Sequence, residues 1–196
     1  MRRPLPVAIL LAVLLAAPAL GALWPQRPFA GCGVLVVAEA PEGGAADIVM
    51  YVEPGVGRMV ETRSDRLPRL AGSESEPVLA VMARRGGWVQ LAYDDAGRTG
   101  WVEKRRSWKF LEWPEYLAGR ELQMLSGVRK ADQAVKGAPS GEALVLGSVP
   151  PLQPVRVLKA EGPWALLDSP SGWIKWRDRD GRLIIGTPEG DELEKR

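Results

Sequence analysis

Two copies of one tryptophan-framed hairpin run through this chain, and they constrain its fold more than any other feature. Gly86-Gly87-Trp88-Val89-Gln90-Leu91 is followed by Gly100-Trp101-Val102, and Gly162-Pro163-Trp164-Ala165-Leu166-Leu167 by Gly172-Trp173-Ile174. Trp88 and Trp164 lie 76 residues apart and Trp101 and Trp173 lie 72 apart, so the second hairpin loop is four residues shorter. The 76-residue offset also pairs Leu79 with Val155, Val81 with Val157, Met82 with Leu158 and Leu91 with Leu167. Apolar identity kept at alternate positions while loop length varies points to a duplicated β unit. A repeat of that kind sets architecture before any single residue does.

The rest of the chain reads as short strands separated by turn chemistry. Apolar, β-branched runs cover 34–38, 48–52 and 78–82 in the first half, and 122–128, 144–146, 155–158 and 183–185 in the second. Asp94-Asp95-Ala96-Gly97 supplies a type I-related turn for the first hairpin, and Ser169-Pro170-Ser171 turns the second. Trp113-Pro114-Glu115-Tyr116-Leu117-Ala118-Gly119 has proline where a helical turn begins and glycine where one ends. The expected fold is therefore mainly β. Two small modules, 33–107 and 122–186, flank a short helical or irregular junction at 108–121, and a polar tail covers 187–196.

The chain opens Met1-Arg2-Arg3-Pro4, then runs through residues 5–20 with almost nothing but Ala, Val, Leu, Ile and Pro. A basic head, a short apolar stretch and small residues at Ala17, Ala19, Gly21 and Ala22 read as a secretory signal, residues 1–21, cleaved before Ala22. The competing reading is a retained membrane anchor, which the length of the run and Pro18 and Pro25 disfavour. Loss of Arg2 and Arg3 takes the formal charge from +2 to zero. A neutral chain lacks the concentrated positive field that nucleic-acid binding needs. Lys104-Arg105-Arg106 reads as a solvated loop or an edge-strand guard.

Cys32 is the single cysteine, so no intramolecular disulfide forms. Phe29-Ala30-Gly31-Cys32 faintly resembles a bacterial lipoprotein box, which would make Cys32 a lipidation site. The favoured alternative is a buried or harmless thiol at the start of the first strand.

The succession of short strand, Gly-Gly-Trp, strand, turn and Gly97-Arg98-Thr99-Gly100-Trp101-Val102 resembles the C-terminal half of a bacterial SH3 (SH3b) domain. Residues 79–102 carry the resemblance, residues 155–174 carry it again, and with the preceding strands it spans roughly 48–185. It implies two tandem, partly open SH3-like barrels of about five short strands each, of the kind that serve as targeting or docking units in envelope proteins.

Two roles are open to the tryptophans. One is a carbohydrate- or peptide-stacking platform. The other, preferred because burial of an indole is a large gain for a small barrel, is packing. Trp101 and Trp173 are expected in a structural core with Val81, Leu91, Val157 and Leu167. Trp88, which strand alternation leaves able to cap the barrel edge, and Trp164 are further candidates for ligand or partner binding. Trp108, Trp113 and Tyr116, with Phe110, cluster outside either hairpin as the surface candidates for ligand or partner binding, against the preferred alternative of a seam between modules.

There is no histidine in the chain, which removes Ser-His-Asp and Cys-His catalysis and the usual zinc ligand sets. No Ser-x-x-Lys or phosphate-loop spacing occurs, and acids such as Asp94, Asp178 and Asp180 fall in turns. The expectation is an exported, non-catalytic protein of the periplasm or cell envelope with no cofactor and no metal. Its expected partner is peptidoglycan peptide or an envelope protein, and it meets the membrane only through its signal segment or a lipid. The alternative is an accessory subunit that packs against another envelope protein without a small ligand.

Overall fold

The computed structural model describes residues 27–187 apart from 73–75 and 95. The expected signal segment and most of the polar tail lie outside the described residues. Eight strands fill the first half: β1 (Gly33–Val36), β2 (Asp47–Glu53), β3 (Val56–Arg63), β4 (Ala71–Gly72), β5 (Pro77–Arg85), β6 (Trp88–Ala92), β7 (Thr99–Glu103) and β8 (Lys109–Leu111). A five-residue helix, α1 (Trp113–Leu117), follows. Seven strands follow among the described residues: β9 (Glu121–Met124), β10 (Ala134–Lys136), β11 (Val145–Ser148), β12 (Pro154–Glu161), β13 (Trp164–Leu167), β14 (Gly172–Lys175) and β15 (Ile185–Gly186).

The protein is mainly β, with two antiparallel sheets, neither closed into a barrel. Their strand orders match element for element: β3-β2-β7-β6-β5-β1-β8 in one, and β11-β10-β14-β13-β12-β9-β15 in the other, with β4 added beside β5. The irregularities match as well. Register shifts fall between Val81 and Ala83 on β5 and between Val157 and Lys159 on β12, positions related by the 76-residue offset. They recur between Met50 and Tyr51 on β2 and between Val135 and Lys136 where β10 meets β11. Each bulge lets one strand bend and serve two neighbours. The first half of β5 pairs with β1 and its second half with β6; β12 divides in the same way between β9 and β13.

Alternation decides what each sheet buries. Val89 and Leu91 on β6 face Val102 and Gly100 on β7, and these point inward with Ile48, Met50, Leu79 and Val81. The interior of the first half is one apolar cluster that also takes in Trp108. A second cluster crosses between the halves. It joins Val34, Val78, Leu111, Trp113, Tyr116 and Leu117 to Val155, Val157, Leu167, Ile174, Trp176 and Ile184. The expected core residues Val81, Leu91, Val157 and Leu167 are all fully or almost fully buried.

Trp101 and Trp173, expected in the interior, lie on the opposite face of their sheets. The reason is the glycine before each. Gly100 and Gly172 take the inward positions, where a Cβ would stand 3.0 Å from Met50 Cβ and 2.5 Å from Val135 Cγ1. Period two then sends the next residue outward. Trp101 is still buried there, opposite Gln90 and Tyr51, whereas Trp173 is half-buried opposite Leu166 and Lys136.

The short segment ahead of β1 belongs to the second half. Phe29 bridges Arg182, Ala30 N–H donates to the Gly181 carbonyl (2.8 Å), and Leu183 N–H donates to the Pro28 carbonyl (2.9 Å). Arg27 reaches Asp178 at 2.7 Å and the Leu183 carbonyl at 2.7 Å. Residues 27–30 thus lie on the second half before the chain builds the first.

Candidate functional site: the groove between the halves

Helix α1 sets the floor of the site. Pro114 fixes the first turn, Tyr116 N–H bonds the Glu112 carbonyl (2.9 Å), and Gly119, at φ 77°, ends the helix in the left-handed region. That turn aims Trp113 and Tyr116 at the second half. Trp113 stacks on Trp176, with centroids 5.1 Å apart and planes 28° from parallel, and meets Tyr116 edge to face at 5.7 Å. Its indole N–H donates to the Ala30 carbonyl at 2.9 Å, so the buried polar atom is paired.

Beside this stack a groove of about 740 Å³ opens between the halves, within the range of ligand sites. Trp113, Tyr116, Leu70, Met82, Leu125 and Leu183 give it an apolar lining, and Arg27, Arg69, Arg182 and Asp94 bring charge. Arg182 lies 4.0 Å over the Phe29 ring, and its guanidinium donates to the Arg27 carbonyl (2.7 Å). Asp178 holds the wall behind them. One carboxylate oxygen accepts from Arg27, the other from the backbone N–H groups of Asp180 (2.9 Å) and Arg182 (3.0 Å). Burial alone would raise its pKa. The Arg182 N–H, the Arg27 guanidinium and the Asp180 N–H outweigh burial and hold it below the usual carboxylate range.

The expected site residues are not gathered in one place. Trp113 and Tyr116 line the groove and are buried, and with Trp176 they form a seam between the halves, which is the preferred of the two readings given to them rather than the exposed surface. Trp108, the third expected surface residue, is buried in the interior of the first half, with the Arg105 guanidinium 5.2 Å over its ring. Trp88 is half-buried on the outer face of the first sheet, edge to face with Tyr51 at 5.4 Å. Trp164 occupies the matching place on the second sheet, buried under Lys175, and lines a recess of about 100 Å³ with Lys136 and Asp132. Cys32 is exposed, and desolvation pushes its thiol pKa up against a backbone hydrogen bond and the nearby Arg84.

The acids read as turn residues do turn work. Asp94 receives the Arg98 N–H (3.0 Å) and guanidinium (2.6 Å), closing the first hairpin over Gly97 at φ 77°. Arg27, Asp178 and Trp176 escaped notice as site residues. The Asp178-Arg179-Asp180-Gly181 turn was the available signal, but its partner stands 151 positions away. Among the described residues no group of three His, Cys, Asp or Glu is placed to hold a metal ion, and no helix is long and apolar enough to cross a membrane.

Comparison with known proteins gives no match: no family model fits the chain, and neither a curated protein nor a solved structure resembles it.

Proposed function

We propose that this chain is an exported, non-catalytic docking protein of the cell envelope, built from two tandem SH3b-like modules, and that it holds a peptidoglycan peptide in the groove between them. The groove is the observation that carries this reading: about 740 Å³ in volume, apolar along its floor, with arginine side chains at its wall. An extended peptide with carboxylates would lay apolar groups on Leu70, Met82 and Leu125 and its charge beside Arg69 and Arg182. The identical strand order of the two sheets, with bulges at matching positions, supports duplication of one small barrel-like unit. The absence of histidine supports a binding role over hydrolysis.

Retention on purified sacculi tests the proposal. The wild-type chain should be retained and should bind soluble muropeptides. Met82→Lys, at a half-buried groove position, should weaken that binding by at least about tenfold, the order expected when a charge enters an apolar contact. Its far-UV circular dichroism should be unchanged. Failure of the wild-type chain to bind sacculi, with capture only by an envelope protein, would replace this reading with that of an accessory subunit.

A further inference from the structure

The described residues start and stop at one place. Arg27, the first, and Thr187, the last, both line the groove between the halves. The exit at Thr187 is fixed by β15. Ile185 and Gly186 pair with Met124 and Gln123 of β9, and a Cβ on Gly186 would stand 3.2 Å from Leu125 Cδ2, on the apolar lining. Beyond Thr187 the sequence runs Pro188-Glu189-Gly190-Asp191-Glu192-Leu193-Glu194-Lys195-Arg196. Pro188 has no N–H with which to lengthen the ladder on β9. Thr187-Pro188-Glu189-Gly190 also puts proline second and glycine fourth, as a type I turn favours.

Charge selects the occupant. Glu189, Asp191, Glu192 and Glu194 place carboxylates along the tail, with Leu193 among them. In the groove Arg27, Arg69 and Arg182 stand against one acid, Asp94, which already accepts from Arg98. Arginine clusters recognise acidic segments through charge-assisted hydrogen bonds. Reach is sufficient, since the six residues from Thr187 to Leu193 span up to about 20 Å. The other segment that leaves from the groove, residues 1–26, carries Arg2 and Arg3 and no acid, so the arginine wall does not draw it.

We propose that residues 189–194 of this same chain occupy the groove, carboxylates toward Arg69 and Arg182 and Leu193 on the apolar lining, as a tethered occupant that an incoming peptide displaces. The displacement rests on the peptide-binding reading above; the occupancy does not. A tether of a few residues holds its segment at an effective concentration on the order of 1 mM, so a contact of only about 0.1 mM affinity fills the groove and weakens a competitor about tenfold.

The test compares the full chain with a full-length variant whose tail is neutral, carrying Glu189→Gln, Asp191→Asn, Glu192→Gln and Glu194→Gln. The probe is a fluorescein-labelled peptide of residues 188–196. It should bind the neutral-tail chain saturably, shift the Met82 and Leu125 methyl signals in nuclear magnetic resonance, and bind the wild-type chain about tenfold more weakly. Arg69→Glu in the neutral-tail chain should weaken binding by at least about tenfold, and about 1 M salt should do the same, because screening removes the charge term. Should Arg69→Glu fail to fold, the salt response takes its place. The proposal is overturned by an absence of saturable binding to the neutral-tail chain, by equal affinity for the two chains, or by signal shifts away from the groove. A wild-type dimer that tail neutralisation dissociates would overturn it too and give the tail to a neighbouring copy. Muropeptides should bind the neutral-tail chain about tenfold more tightly than wild type, and equal binding would overturn the displacement. If neither chain binds them, the peptidoglycan reading fails, while the labelled tail peptide still decides the occupancy.

Discussion

At the scale of the residue, Asp178 separates an ion pair that matters from those that do not. Its side chain is 2% exposed and that of Arg27 12%, whereas Arg85 and Glu53 pair at 70% and 59% exposure. Exposed pairs contribute little, but removal of one partner from a buried pair strands the other, at a cost of about 3–5 kcal/mol. Asp178→Ala is expected to lose that much stability by urea denaturation at neutral pH. The folded pKa of Asp178 lies below its unfolded value, so its contribution is complete above the unfolded carboxyl value of about 3.9 and is lost as pH falls through the depressed folded one. The gap between wild type and variant should therefore narrow from about pH 4 downward. A constant gap would assign the loss to packing. The glycines of the Gly-Trp pairs teach the complementary lesson. In sequence they mark hairpins, while their contact with Met50 and Val135 shows why no side chain fits there.

At the scale of the element, α1 was legible and its purpose was not. Pro114 and Gly119 delimit the turn in any context, because proline suits the start of a helix and glycine the left-handed end. What Trp113 touches depends on residues 30 and 176, remote in sequence. Trp113→Ala should cost about 3–5 kcal/mol, as for other buried aromatic truncations. Trp113→Phe keeps a ring on Trp176 but leaves the Ala30 carbonyl without its donor, and should cost about 1–3 kcal/mol. Equal losses in thermal unfolding of the two variants would deny the stack its role. Strands β3 and β10 were missed for different reasons. β3 carries Arg58, Glu61 and Arg63 among its apolar residues and is exposed along most of its length, and β10 has three residues, of which only Val135 is fully buried. Neither leaves the run of inward apolar positions that periodicity detects.

At the scale of the whole molecule, residues 27–30 bind the first half to residues 178–183 of the second. Chain removal before Cys32, which lipoprotein processing there would require, deletes the Arg27–Asp178 pair, the Phe29–Arg182 contact and the acceptor for the Trp113 indole. A chain that starts at Cys32 should unfold about 10 °C below one that starts at Ala22, from a loss of several kcal/mol spread over a domain of this size. Calorimetry of the two chains checks this, and equal midpoints would leave the segment without a structural part. The groove follows from the same arrangement, because its walls draw on separate stretches of the chain, among them Phe29, Leu70, Met82, Tyr116 and Leu183.

The repeat, the β class, the hairpin turns and the alternate buried positions were all determined by local sequence. Each depends on side-chain period, turn chemistry or glycine freedom, which act over a few residues. The face taken by each tryptophan, the Trp113–Trp176 stack, the Arg27–Asp178 pair and the groove were decided only by tertiary structure. They join positions tens to more than a hundred residues apart, and the free energy that selects such a contact exists only once both surfaces have been built and brought together.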